Sequence, residues 1–212
     1  MQIGQQVWLF DGTGEEALAE IVASSQDDAV LRILQRRPAQ TETSQPLILG
    51  TAVPKGDRFR WLVEKATELG IQRLVPLQTQ RSIVDPREGK LDRLRQTVVE
   101  ASKQCGRSSL MNIDPVTDWK KFVAQEFVGK TGYIAHPGGE SLDLGSHAAG
   151  EPIVVAVGPE GGFTDAEVDS AVAAGAKLVS LGPRILRIET AALALAALLA
   201  IGGEPERVPL EL

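Results

Sequence analysis

Cysteine is all but missing. Cys105 stands alone, so the chain cannot form an internal disulfide, and with only two histidines, His136 and His147, the ligands for a structural zinc are too few. No metal site is expected. Long apolar runs are also lacking: the longest, Ala191 to Ile201, is rich in alanine and well short of the roughly 20 residues a membrane span needs. The opening MQIGQQVWLFDG has no basic stretch followed by an apolar one. Nothing there reads as an export signal, and a cytoplasmic protein is expected. Two nucleotide signatures are absent as well. There is no G-x-x-x-x-G-K-[ST] loop, and no G-x-G-x-x-G opens a helix after the first apolar strand, which excludes a P-loop ATPase and an ordinary dinucleotide fold.

What is present is a chain of 212 residues, 43% hydrophobic and 24% charged, which can bury a real core. The net charge of -6 argues against blanket binding to a polyanion, yet its distribution is uneven. Twelve Lys and Arg face seven Asp and Glu between Lys55 and Arg107, so this window carries +5 and the remainder -11. A nucleic-acid face, if there is one, falls in that window; solvated helix faces are the plain alternative.

Residues 1 to about 45 read as three short strands, Gln6 to Phe10, Ala17 to Ala23 and Ala29 to Leu34, the first closing on an Asp11-Gly12 turn. Three strands cannot close a barrel, so they must lean on the rest of the chain. Arg36 to Pro46 is polar, contains two prolines and reads as a linker. From Leu47 the pattern becomes strand alternating with helix. Strands are expected at Leu47 to Val53, Ile71 to Leu77, Thr131 to His136, Ile153 to Val157 and Lys177 to Leu181. Helices are expected at Asp57 to Leu69, Lys90 to Gln104, Asp118 to Glu126, after a Thr164-to-Glu167 capping box, and at Thr190 to Ile201. Such alternation implies an open, mostly parallel α/β sheet with ligands at the carboxyl ends of its strands.

Three glycine-rich segments follow apolar strands and read as turns: His136-Pro137-Gly138-Gly139, Gly158-Pro159-Glu160-Gly161-Gly162 and Leu181-Gly182-Pro183-Arg184. Glycine lets backbone approach a ligand and adopt positive φ, which is expected at Gly161. Glu160 reads either as a carboxylate that orients a ligand or as a helix-dipole charge. Arg184, Arg187 and Glu189 lie close in sequence, giving either an anion-binding pair of arginines or an Arg–Glu pair that fixes the turn. Cys105 reads as a small buried hydrophobe.

Four blocks make a family recognisable: PKGDRFRWLVEKATELGIQRLVPLQTQRS (Pro54 to Ser82), EASKQCGR (Glu100 to Arg107), VGPEGGFTDAE (Val157 to Glu167) and LGPRILRIETA (Leu181 to Ala191). In this order they closely resemble the ribosomal RNA small-subunit methyltransferase E family, whose members methylate N3 of a uridine in 16S ribosomal RNA with S-adenosylmethionine. The resemblance implies the SPOUT fold, an α/β domain whose open, mostly parallel sheet ends in a C-terminal trefoil knot. By the same resemblance residues 1–45 form a partial PUA-like β-barrel that binds RNA, beginning where the family's barrel is already under way. Residues 46–212 form the methyltransferase domain.

Carried over by motif, the donor pocket comprises His136, Val157, Gly158, Pro159, Glu160, Gly161, Gly162, Leu181, Gly182, Ile185, Leu186 and Arg187. The catalytic candidates are Arg107, Arg187 and Glu160. The basic window offers Lys55, Arg58, Arg81, Arg93, Arg95 and Arg107 as RNA contacts. The implied partners are 16S ribosomal RNA within the small subunit and a second copy of the chain, with no membrane and no metal. A methyltransferase of the same fold acting on transfer RNA, and a noncatalytic RNA-binding assembly factor, are the alternatives.

Overall fold

The computed structural model describes residues 2–39, 41–43, 45–84, 88–142 and 150–202. Apolar–polar alternation in the first part builds an antiparallel sheet of three strands, β1 (Gln6–Phe10), β2 (Glu15–Ser24) and β3 (Ala29–Pro38), in that order. β3 outruns its expected end at Leu34. The reason is a row of cross-strand ion pairs, Arg32–Glu20, Arg36–Glu15 and Arg37–Glu16, which carry the ladder through a polar stretch that hydropathy alone reads as linker. Only Ala19 and Ile21 of this sheet are buried hydrophobics, too few for a core of its own. It leans on the segment after α2: the Gly14 N–H donates to the Ser108 carbonyl at 3.2 Å, the Leu110 N–H to Gly12 at 3.1 Å, and the Ser108 hydroxyl to Glu16.

The second part runs β4 (Leu47–Ala52), α1 (Arg58–Glu68), β5 (Arg73–Gln78), α2 (Glu88–Cys105), β6 (Asn112–Ile113) and β7 (Thr117–Asp118). It continues through α3 (Trp119–Phe122), β8 (Thr131–Ser141), β9 (Ile153–Val157), α4 (Asp165–Ala173), β10 (Lys177–Ser180) and α5 (Ile188–Gly202). All its strand pairs are parallel, in the order β10-β8-β9-β4-β5-β6, with β7 also paired to β5. This is the expected α/β class.

Apolar spacing decides which faces are covered. Phe59, Leu62, Val63 and Ala66 of α1, Leu91, Leu94 and Val98 of α2, and Leu195 and Leu199 of α5 bury one side of the sheet. On the other side Trp119, Phe122, Phe127 and Phe163 form an aromatic cluster, Trp119 and Phe163 having centroids 4.4 Å apart. Two strand glycines seat those rings, since a Cβ on Gly50 would lie 2.4 Å from the Phe122 ring and one on Gly132 2.4 Å from the Phe127 ring. The helix expected over Asp118 to Glu126 is capped by the Asp118 carboxylate, which accepts from the Lys120 N–H at 2.9 Å, and its second half is a π-helical turn, Val123–Phe127.

One expected turn is not a turn. The HPGG segment lies inside β8, whose register against β10 jumps from Ile134↔Leu178 to Glu140↔Val179, so residues 135–139 are a bulge in a longer strand. Backbone contact drives this, because a Cβ on Gly139 would come within 2.5 Å of the Val179 nitrogen. After β10 at the sheet edge the chain returns to α5, which packs across the central strands β4 and β9 and against α1. Among the described residues no helix is long and apolar enough to cross a membrane.

Candidate active site

The loop after β9 is built by its glycines and by a neighbour. The Gly162 N–H donates to the Pro159 carbonyl at 2.8 Å, closing a turn that leaves Gly162 at φ +70°. Positive φ therefore belongs to Gly162 and not to Gly161. At Gly161 a Cβ would sit 3.3 Å from Cδ of Arg81, a tight contact with a flexible side chain. Nη1 of Arg81 donates to the Gly161 carbonyl at 2.6 Å and to the Phe163 carbonyl at 3.4 Å. Beyond the loop the capping box of α4 forms as its sequence requires, Glu167 accepting from the Thr164 N–H at 2.8 Å while the Thr164 hydroxyl accepts from the Glu167 N–H.

A cavity of about 310 Å³ opens at the carboxyl ends of β8 and β10 against α5, lined by Ser141, Leu142, Ser180, Leu181, Ala194 and Leu198. Of the residues expected to hold the donor, Leu181 alone lines it. The motif showed the glycines but not Ser141, Ser180 or the α5 wall, since β8 was read as ending at His136 and the helix face was read for packing. Leucine walls with two hydroxyls suit a planar heterocycle held by few polar contacts. Gly182, at φ +94°, adds a turn where backbone can close over such a ring. These residues fit the adenosine end of S-adenosylmethionine.

The other expected donor residues differ in burial. Val157 and Pro159 are buried at the end of β9, and Gly158 packs on Phe163, to which a Cβ would approach within 3.0 Å. Leu186 packs on the core, whereas Ile185 is 98% exposed. His136 is half-buried in the β8 bulge, its Nδ1 accepting from the Gly138 N–H at 3.1 Å. His147 lies outside the described residues.

Charge gathers where α1, α5 and the β9 loop meet. Arg58 reaches Glu189 at 3.5 Å through Nη1 and Glu160 at 4.0 Å through Nη2, and its Nε donates to the Lys55 carbonyl at 3.2 Å. Arg58, read as an RNA contact, is thus the guanidinium that joins two site carboxylates. Glu189 is 5% exposed, and its Oε2 has no partner. Its ion pair is with Arg58 and not with Arg184 or Arg187, the alternative reading of those arginines; both are exposed on the loop before α5.

Arg107 does not join the site. It is 3% exposed and sits where α1 ends and β5 begins, with hydrogen bonds to the Thr67 and Ile71 carbonyls and a bidentate pair with Glu42. That is the amino end of the sheet, opposite the glycine loops, so neither catalysis nor contact with RNA beside those loops fits its position. Lys55 is exposed, as are Arg93 and Arg95 on α2, where Arg95 pairs with Asp92. Cys105 is a half-buried free thiol. Among the described residues no group of His, Cys, Asp and Glu is arranged to hold a metal.

Known proteins extend the argument. The RNA methyltransferase domain family matches residues 41–200. The chain is 31% identical over 208 residues to the ribosomal RNA small subunit methyltransferase E of Bacillus subtilis, covering 91% of this chain and 80% of that one. With the enzyme of the same name from Synechocystis it shares 33% over 196 residues, 90% of this chain and 64% of that one. A solved ribosomal RNA small subunit methyltransferase E from Neisseria gonorrhoeae, bound to S-adenosyl methionine, superposes with a TM-score of 0.84 at 30% identity, covering 96% of this chain and 85% of that one. The family match over residues 41–200, the identity to these enzymes over most of the chain and the superposition lead to one assignment: the chain belongs to the ribosomal RNA small-subunit methyltransferase E family.

Proposed function

We propose that the protein uses S-adenosylmethionine to methylate 16S ribosomal RNA, and that the acceptor is N3 of a uridine. The observation that carries this reading is the match of residues 41–200 to the RNA methyltransferase family, in a chain whose Leu181, at the start of the LGPRI loop, lines a strand-end cavity. Leu142, Leu181, Leu198, Ser141 and Ser180 hold the adenosine, with Gly158, Pro159, Gly162 and Gly182 shaping the backbone around it. When bound, the donor supplies an electrophilic methyl group on a sulfonium.

The acceptor sets the chemical demand on the chain. Neutral uridine carries a proton on N3, and that nitrogen attacks only as its lone pair is freed. We assign to Arg187, exposed on the loop that enters α5, the stabilisation of the uracil anion at its carbonyl oxygens. Glu160 is the weaker candidate as a base, since Arg58 stands 4.0 Å from its carboxylate. Lys55, Arg93 and Arg95 present charge to the RNA phosphates, and the β1–β3 sheet adds Arg32, Arg36 and an Arg37 stacked 4.0 Å over Trp8.

The same reading divides the chain into an RNA-binding β unit over residues 1–45 and a catalytic unit over 46–212, and takes the passage from edge strand β10 to central helix α5 as a trefoil knot. It also makes the enzyme a homodimer, because exposed Ile185, Leu198 and Ile201 offer apolar surface that a second copy would cover. A small-subunit substrate places its work in the cytoplasm. Incubation with labelled donor and unmodified small subunits, followed by reverse transcription, tests the function. A methyl on N3 blocks the Watson–Crick edge and halts copying one nucleotide short. Label in transfer RNA, or donor binding with no transfer, would turn the assignment to one of the alternatives.

A further inference from the structure

We propose that Arg81 is a positioning residue of the donor site, holding the GPEGG loop in its binding conformation, and not a phosphate contact. Arg81 belongs to a turn at the end of β5, Thr79 to Ser82, that is rigid in itself. The Thr79 N–H donates to the Ser82 hydroxyl at 3.0 Å, the two hydroxyls lie 3.0 Å apart, and the Ser82 N–H donates to the Thr79 carbonyl at 3.1 Å. From this turn two bonds cross to the loop after β9. Arg81 takes the Gly161 and Phe163 carbonyls, and the Gln80 N–H donates to Oε1 of Glu167 at 2.7 Å. Glu167 is at the same time the capping carboxylate of α4, so the loop is tied at its middle and at the helix it enters.

This tether acts on the part of the loop that has no side chain, between buried Pro159 and buried Phe163. Gly161 and Gly162 are adjacent and both lack the Cβ that would restrict them, and a loop that samples many conformers binds a ligand with the ordering cost subtracted. Fixing the Gly161 carbonyl fixes the peptide plane between them, and Gly162 then keeps the positive φ its turn requires. A Cβ at position 161 would press on the Arg81 stem at 3.3 Å. Exposed as the residue is, Nη1 of Arg81 is shared between two carbonyls of its own chain.

The inference rests on the reading of the GPEGG loop as part of the donor site, and the test separates the two. Donor affinity is measured by calorimetry, RNA affinity across a salt series, and melting temperature for the wild type, Arg81→Ala and Arg81→Lys. Expected is a donor Kd raised at least about tenfold in Arg81→Ala with a KM for the donor that rises more than kcat falls. The salt slope of RNA binding should stay at its wild-type value, and lysine should restore part of the donor affinity through one carbonyl. An unchanged donor Kd, or a salt slope smaller by roughly one unit, which is the mark of a lost phosphate contact, would overturn the proposal. Should Arg81→Ala not fold, Arg81→Met keeps the stem and loses the guanidinium; it must also weaken donor binding, and wild-type affinity there overturns the proposal equally. Failure of the wild type itself to bind donor would instead refute the functional reading.

Discussion

Arg107 and Glu42 form a two-point ion pair, Nη2 to Oε2 at 2.8 Å and Nε to Oε1 at 3.2 Å, while Nη1 of the same arginine donates to the Thr67 and Ile71 carbonyls, each at 2.9 Å. One buried guanidinium thereby fastens the segment that leads into β4 to the end of α1 and the start of β5.

Arg107→Ala is accordingly a stability variant. Removing one member of a buried pair strands the Glu42 carboxylate and takes a donor from the Ile71 and Thr67 carbonyls, the latter keeping the Gly70 N–H, a loss of about 3 kcal/mol. The denaturation midpoint should fall accordingly, while the salt slope of RNA binding stays put. A folded, fully stable variant with a flatter slope would return Arg107 to the RNA face.

Arg58 and Glu189 make the second prediction. In Arg58→Ala the Glu189 carboxylate, already short of one partner, keeps none of those seen here, at a cost of about 2 kcal/mol. Adding Glu189→Gln removes the stranded charge, so the double variant should be more stable than Arg58→Ala alone. Additive losses in a double-mutant cycle would show that the pair is not coupled.

Much of this architecture is legible in the sequence, and the exceptions share a cause. Strand–helix alternation, the helix ends at Gly70 and Gly106 and the Thr164 capping box are local, and local rules find them. Three misreadings involve partners distant in sequence. β3 continues because Glu15 and Glu16 stand across from Arg36 and Arg37, HPGG stays in a strand because β10 lies against it, and the Gly161 carbonyl is taken by Arg81 while the positive φ falls on Gly162. Arg107 misleads for the same reason. At a helix C-terminus a basic residue looks solvent-facing, and nothing local announces a glutamate 65 positions earlier. The cavity wall from α5 was hidden because Ala194 and Leu198 obey the same periodicity as any packing face.

The third prediction concerns acid. Burial by itself would raise the Glu126 carboxyl, but hydrogen bonds from Lys130 and Arg73 outweigh it and hold the group below the ordinary glutamate value. A depressed carboxyl contributes stability that is complete above its unfolded pKa of about 4.3 and lost as pH falls through the folded value. Glu126→Gln should therefore be less stable than wild type at neutral pH, with the gap closing below about pH 4. Neighbouring Asp114 is raised by burial against the pull of Arg73, and the Glu126 carboxylate raises it further, so Glu126→Gln also relieves Asp114 in part. A gap independent of pH would assign Glu126 a packing role only.

A fourth test addresses how a chain of charge -6 holds RNA. Arg93 and Arg95 are exposed on α2, and neutralising both should weaken RNA binding and reduce the log–log salt slope by up to about two units, one per lost phosphate contact. Donor affinity should not move. An unaffected slope would make them a solvated helix face and shift the RNA contacts to the arginines of the β1–β3 sheet.

The last prediction separates activation of the acceptor from its placement. If Arg187 stabilises the uracil anion, its removal raises the free energy of the deprotonated state that attacks, an effect of about 3 kcal/mol for one lost donor of this kind. Single-turnover methylation by Arg187→Ala, with donor and RNA saturating, should then be slowest relative to wild type at neutral pH. As pH rises toward the range where uridine N3 ionises in water, solvent takes over the deprotonation that the arginine had favoured, and the deficit should narrow. Arg184→Ala serves as the comparison, since that residue is exposed on the same loop but three positions further from α5. A deficit of equal size at every pH would mean that Arg187 orients the nucleotide without changing its acidity. No deficit at all would leave the anion to be stabilised by another group, with Arg58, the remaining guanidinium beside Glu160, next to be tested.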